Sequence, residues 1–79
     1  MKRIKVLGTG CSNCRTTVKL IEEVAQSRGV DIQLEKVERI EDIIVAGVMR
    51  TPGVIVDGKI VHSGGIPNRD AIAGWLQAA

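Results

Sequence analysis

Apolar and polar residues alternate along "KRIKVL" at positions 2–7, which predicts a strand with Ile4 and Val6 turned inward. Gly8 and Gly10 break it. From Cys14 onward the period lengthens: Val18, Ile21 and Ala25 follow helical spacing, Leu20 and Val24 widen the stripe, and Gly29 ends the helix. "VDIQLEKV" at 30–37 alternates again, with Ile32 and Leu34 on one face and Asp31, Gln33 and Glu35 on the other, and reads as a second strand. "RIEDIIVAGVM" returns to helical spacing through Ile40, Ile43, Ile44, Gly47 and Val48. "TPGVIVDGKIVHSGG" holds two short apolar runs separated by Asp57-Gly58, a dipeptide suited to the type I′ turn of a β-hairpin. The last stretch, "IPNRDAIAGWLQAA", predicts a helix with Pro67 or Asn68 near its start. Its inner face would be Ile72, Trp75 or Leu76, and Ala79.

The predicted order is β-α-β-α-β-β-α. The first β-α-β unit requires a parallel strand pair with a right-handed crossover, because a strand returns parallel only through a long connection. The last two strands form an antiparallel hairpin. The expected fold class is therefore α/β, a four-stranded mixed sheet flanked by three helices. A chain of 79 residues has room for a single small domain, taken as 1–79, and no repeat, linker or low-complexity tract divides it.

Composition narrows the function classes. The apolar fraction of 44% is that of a globular chain rather than a disordered one. There is one Trp, with no Tyr and no Phe, so the core must be built from Ile, Val, Leu and Ala, and base stacking is a poor binding mode. A net charge of +2 is too small a surplus for phosphate-backbone binding, and nucleic acid is not expected as a partner. The basic start "MKRIKVLGTG" lacks the apolar run of a signal peptide, and no segment approaches the ~20 apolar residues that span a bilayer. A cytoplasmic, membrane-free protein is expected. Thiols there are kept reduced, which favours a catalytic or metal-binding cysteine pair over a structural disulfide.

The only two cysteines, Cys11 and Cys14, stand two residues apart in "GTGCSNCRTTVKLI". Cys11 falls at the predicted junction of strand and helix. Unpaired N–H groups and the helix dipole there favour a thiolate, the nucleophile of disulfide exchange. Cys14 lies one turn further in, on the stripe of Val18 and Ile21, and should be the more buried thiol. This asymmetry makes Cys11 the attacking thiol and Cys14 the resolving one. A closed zinc site needs four ligands, and beyond the cysteines the chain offers only His62, far away in the hairpin. Two thiolates suffice for copper(I), so a soft-metal carrier is the alternative from another class. Copper-carrier domains have the order β-α-β-β-α-β and usually a Met ahead of the first Cys, where this chain has Thr9 and Gly10. A redox-responsive interaction module is a third reading.

The C-x-x-C on a first β-α turn, with "TPGVIVDGKIV" opening a hairpin later and "GG" after it, resembles the thioredoxin superfamily, and nearly the whole chain is covered. The likeness is closest to the small, glutaredoxin-sized thioredoxin-like redox proteins of bacteria and archaea. It implies that Pro52 is a cis-proline facing the cysteine pair. Thr51 would then offer its backbone N–H and C=O to an extended substrate segment. Gly64-Gly65 resembles the double glycine with which glutaredoxins approach glutathione, although here the next acidic residue comes only at Asp70; the alternative is a plain turn into the last helix. Lys5, Arg15 and Arg69 could hold peptide carboxylates, or be solvated surface charges. Thioredoxin's Trp before the first Cys, its Gly-Pro between the pair and its buried acid all lack counterparts. The expected activity is thiol–disulfide exchange on protein disulfides through Cys11 and Cys14, with no cofactor carried. Electrons would come from a thioredoxin-type reductase in preference to glutathione.

Overall fold

In a computed structural model, residues 2–9 and 12–77 are described. The elements are β1 (Lys2–Leu7), α1 (Ser12–Arg28), β2 (Ile32–Val37), α2 (Ile40–Val45), β3 (Gly53–Val56), β4 (Lys59–Ser63) and α3 (Arg69–Gln77). The strands form one mixed sheet in the order β2-β1-β3-β4. β1 and β2 run parallel, with Lys2 opposite Ile32 and Leu7 opposite Val37. β1 pairs antiparallel with β3, and β3 with β4. The α/β architecture and element order agree with the sequence reading.

Alternation in β1 sorts its side chains between two unequal cores. Ile4 and Val6 join Val54 and Val56 of β3 beneath Val18, Ile21, Val24 and Ala25 of α1 and Ile72 and Leu76 of α3. Leu7 points the other way, into a smaller cluster with Ile43 and Val48. Helices α1 and α3 thus share the main face, and α2 covers only part of the opposite one. Arg69 at the start of α3 binds Glu23 of α1 at 2.7 Å, joining the two helices outside the core. No helix of the described residues is long and apolar enough to cross a membrane.

Local chemistry explains the boundaries. Gly29 has φ +67°, the amide of Gly29 bonds the Gln26 carbonyl, and that of Val30 bonds the Ala25 carbonyl at 2.9 Å. This Schellman arrangement closes α1 and uses Val30, so β2 starts at Ile32 rather than at 30. Asn68 caps α3 by accepting the Ala71 N–H on Oδ1 at 2.7 Å. Of the predicted inner face of α3, Ile72 and Leu76 are buried and Trp75 half-buried, while Ala79 lies outside the described residues. Asp57 (φ +50°) and Gly58 (φ +85°) form the two-residue turn with both central residues left-handed, as a type I′ turn requires. The Asp57 amide donates to the Arg3 carbonyl at 2.8 Å, and Asp57 Oδ1 accepts the Arg3 N–H at 3.0 Å. A side chain thereby extends the β1–β3 ladder past the point where the turn ends it.

The second helix departs from its sequence pattern. The spacing implied a stripe through Ile40, Ile43, Ile44, Gly47 and Val48. Instead α2 stops at Val45, its C-cap is Ala46, and Gly47 turns the chain with φ +85°. Fewer than two helical turns present only Ile43 to the sheet, and Val48 reaches it from the following loop. Ile40 and Ile44 are exposed, with Val45 at 86% and Met49 at 95% accessible. Of the expected stripe, Ile43 and Val48 are buried and Ile40, Ile44 and Gly47 are not.

Gly53 is the point of closest approach in the smaller cluster. A Cβ there would come within 2.5 Å of Val48 Cγ1 and 3.0 Å of Cγ2. Gly53→Ala should lower stability by about 1–3 kcal/mol through overpacking. Val48→Ala in the same chain should recover part of that loss. Urea midpoints of the two single variants and the double one would check this, and strict additivity would contradict the contact.

Candidate functional site

Cys14 occupies the first turn of α1 and is 6% exposed. Its burial follows from the helical stripe, since Thr17, Val18 and Ile21 beyond it also face inward. Thr17 is wholly buried, and its hydroxyl is satisfied by donating to the Asn13 carbonyl at 2.8 Å. The Cys14 sulfur lies where a side chain on Gly8 would stand: a Cβ at Gly8 would overlap Cys14 Sγ and lie 3.7 Å from Thr51 Cβ. Gly8 is itself anchored by its amide to the Val37 carbonyl at 2.9 Å. Three separate stretches, the end of β1, the first turn of α1 and the loop before β3, therefore converge around one sulfur atom. Cys11 and Gly10 lie outside the described residues.

The Thr51–Pro52 peptide is cis. Pro52 is buried, and its carbonyl accepts the Gly64 N–H at 3.0 Å. Gly64 and Gly65 both have positive φ, +79° and +73°. At Gly64 a Cβ would also press on Arg50, 3.2 Å from its Cβ, so space and backbone both call for glycine. The double glycine is thus a left-handed turn tied to the proline segment.

A cleft of about 170 Å³ opens beside Cys14, lined by Val6, Gly8, Cys14, Arg15, Val18, Lys36 and Glu38. Of the three basic residues singled out in the sequence, only Arg15 lines it. Lys5 borders grooves on the opposite face of the sheet with Ile55, and Arg69 is engaged by Glu23. Lys36 and Glu38 escaped the sequence reading. The available signal was strand alternation: Ile32 and Leu34 face α1, so Lys36 two residues on is a charge at an inward-facing position. At the end of the strand that position opens on the cleft instead of the core. No group of three or more His, Cys, Asp or Glu side chains placed to hold a metal ion occurs among the described residues. His62, the distant ligand weighed for zinc, directs Nε2 to the Gly65 carbonyl.

A four-stranded mixed sheet with three helices in this order, and a buried cysteine in the first turn after β1, is the architecture of a thioredoxin-like protein. A family model described as a thioredoxin domain matches residues 2–77. The chain is 33% identical over 72 residues to a thioredoxin of Methanothermobacter thermautotrophicus, covering 91% of this chain and 94% of that one. It is 35% identical over 75 residues to a thioredoxin of Methanocaldococcus jannaschii, covering 95% of this chain and 86% of the relative. The chain belongs to the thioredoxin family, in its small archaeal type, and is of the oxidoreductase kind.

The overlap at Gly8 generates a direct test. Gly8→Ala should destabilise the chain by about 1–3 kcal/mol, since the end of β1 and the first turn of α1 cannot both keep their places. Shortening the opposing side chain should relieve the clash, so Gly8→Ala combined with Cys14→Ala should lose less than the two single variants together. Equal stability of wild type and Gly8→Ala in urea would refute the packing described.

Proposed function

We propose that the protein is a thiol–disulfide oxidoreductase acting on protein disulfides through Cys11 and Cys14. The observation that carries this reading is the buried Cys14 sulfur packed against Gly8, with Thr51 bordering the same space, in a chain of the thioredoxin family. Cys11 precedes in sequence the first residue of α1, and a thiol so placed gains the activation that helix termini give a thiolate. Its thiolate attacks one sulfur of the substrate disulfide. The S–S bond breaks, the departing thiolate takes up a proton, and a mixed disulfide with Cys11 remains. Cys14 then loses its proton and attacks the Cys11 sulfur, releasing the second substrate thiol. Two electrons and two protons pass to the substrate, and the Cys11–Cys14 pair is left oxidised. A second dithiol, that of a thioredoxin-type reductase, returns the electrons by the same exchange in reverse.

Thr51 supplies main-chain N–H and C=O groups to an extended substrate segment, with Pro52 fixing the turn and Gly64-Gly65 bordering it. Exposed Met49, two residues before Thr51, and Ile66, next after Gly65, give a docking partner apolar surface beside this loop. Lys36 and Glu38 are ionisable groups sharing the cleft with Cys14, which must give up a proton in the second step. The soft-metal reading has less support: the element order is β-α-β-α-β-β-α, without the early hairpin of copper-carrier domains.

Cys14→Ser tests the two-thiol mechanism, because a hydroxyl cannot displace a mixed disulfide. This variant should retain a partner covalently through Cys11, visible on a non-reducing gel and lost on adding reductant. Cys11→Ser should retain little, since the remaining sulfur is buried. Failure of Cys14→Ser to trap any partner, with wild type still reducing disulfides, would refute the mechanism. The electron donor is tested separately. No acid follows Gly65 before Asp70, so glutathione should reduce the oxidised pair poorly and a flavin-dependent thioredoxin-type reductase well. Efficient glutathione-coupled turnover would instead make Gly64-Gly65 a ligand site.

A further inference from the structure

The β3–β4 ladder contains a bulge. Ile55 pairs with Ile60 and Val54 with His62, leaving Val61 as the extra residue between them. Strict alternation would send His62 to the same side as Ile60, which is 43% exposed on the face away from α3. The extra residue resets the alternation, as bulges do where a side chain must be re-aimed. Val61 packs on the main core, and the His62 ring meets Trp75 of α3 with centroids 5.9 Å apart and planes inclined by 48°.

This re-aimed ring holds Nε2 at 3.0 Å from the Gly65 carbonyl. A carbonyl oxygen can only accept, so Nε2 carries the proton in this contact, in the neutral ring as in the cation. The next residue back, Gly64, donates its amide to the Pro52 carbonyl at 3.0 Å. A chain of contacts therefore runs from Trp75 through His62 and the double-glycine turn to the segment ahead of β3. Both glycines occupy left-handed conformations, and glycine gives a turn no side-chain stiffness of its own. The imidazole supplies the restraint that the turn lacks.

Resting on the function proposed above, we propose that His62 is a positioning residue. It holds the Gly64-Gly65 turn against Pro52, and so presets the Thr51–Pro52 main chain for an incoming disulfide-bearing peptide. Its effect falls on peptide binding and not on the chemistry of the sulfurs.

The test compares His62→Leu, which keeps bulk but has no donor, with His62→Gln, whose amide nitrogen can replace Nε2. Two substrates are reduced with dithiothreitol as donor: a disulfide-linked peptide, and 2-hydroxyethyl disulfide, which offers no peptide main chain. His62→Leu should raise KM for the peptide about two- to tenfold, the worth of one neutral hydrogen bond, with kcat and the small-disulfide kinetics unchanged. Hydrogen exchange at the Gly64 amide should accelerate by a similar factor, and His62→Gln should restore both. Far-ultraviolet circular dichroism and urea midpoints, which do not depend on the His62–Trp75 contact, report that both variants remain folded. The proposal is overturned if Gly64 exchange is unchanged in His62→Leu, if KM rises equally for the two disulfides, or if His62→Gln behaves as His62→Leu does. Should wild type reduce neither disulfide, the proposed function falls, and the Gly64 exchange rates still decide whether His62 holds the turn.

Discussion

The sulfur of Cys14 and the missing side chain of Gly8 occupy the same space, and the rest of the site is arranged around that substitution of one for the other. A helix following a strand must leave room for its own first turn. In this chain the room comes from a glycine immediately after β1, so α1 can begin within five residues of Leu7. Any larger residue would push α1 outward and take the cysteine away from Thr51. One absent methyl group thus links strand, helix and loop, and it does so at an atom able to do redox chemistry.

The distribution of packing around this point is unequal. α1 and α3 share a core of branched aliphatic side chains on one face of the sheet, which holds α1, and with it Cys14, by many small dispersion contacts. The opposite face is secured near the site by Leu7, Ile43 and Val48. Val48 closes on Gly53, and Gly64 bonds Pro52, so the loop between α2 and β3 is held from both ends although α2 itself is short. These contacts fall around the Thr51–Pro52 segment, which borders the same space as the sulfur. Ile40, Ile44 and Val45 of α2 are exposed and join neither core cluster.

Much of this was legible in the sequence because the relevant signals are local. The period change after Gly10, the Asp57-Gly58 turn and the alternation of β1 and β2 depend on residues a few positions apart, and they yielded the element order. The burial of Cys14 followed from helical spacing alone. Illegible parts depended on contacts between distant segments. Ile40 and Ile44 have the spacing of an inward stripe, yet burial requires a surface to receive them, and only Ile43 finds one. Lys36 reads as a surface charge until β2 is placed beside β1, with Lys36 opposite Val6 at the cleft. Arg69 differs again, since its partner Glu23 lies forty-six positions away.

His62 shows most clearly where local reading ends. From sequence it is a lone histidine on a hairpin strand, and alternation assigns it a face. A single extra residue in the ladder reverses that assignment, because side-chain direction in a strand has period two and an inserted position changes its phase. The bulge leaves the pairing of Val56 with Lys59 intact, so the Asp57-Gly58 turn gives no hint of it. Its consequence lies at the other end of β4, where the imidazole meets the Gly65 carbonyl and the adjacent amide meets Pro52. A change of phase inside the hairpin is thereby expressed at the loop beside Cys14. Helical spacing alone places Cys14 on a buried face, whereas the side to which His62 turns depends on a ladder irregularity that no local pattern encodes.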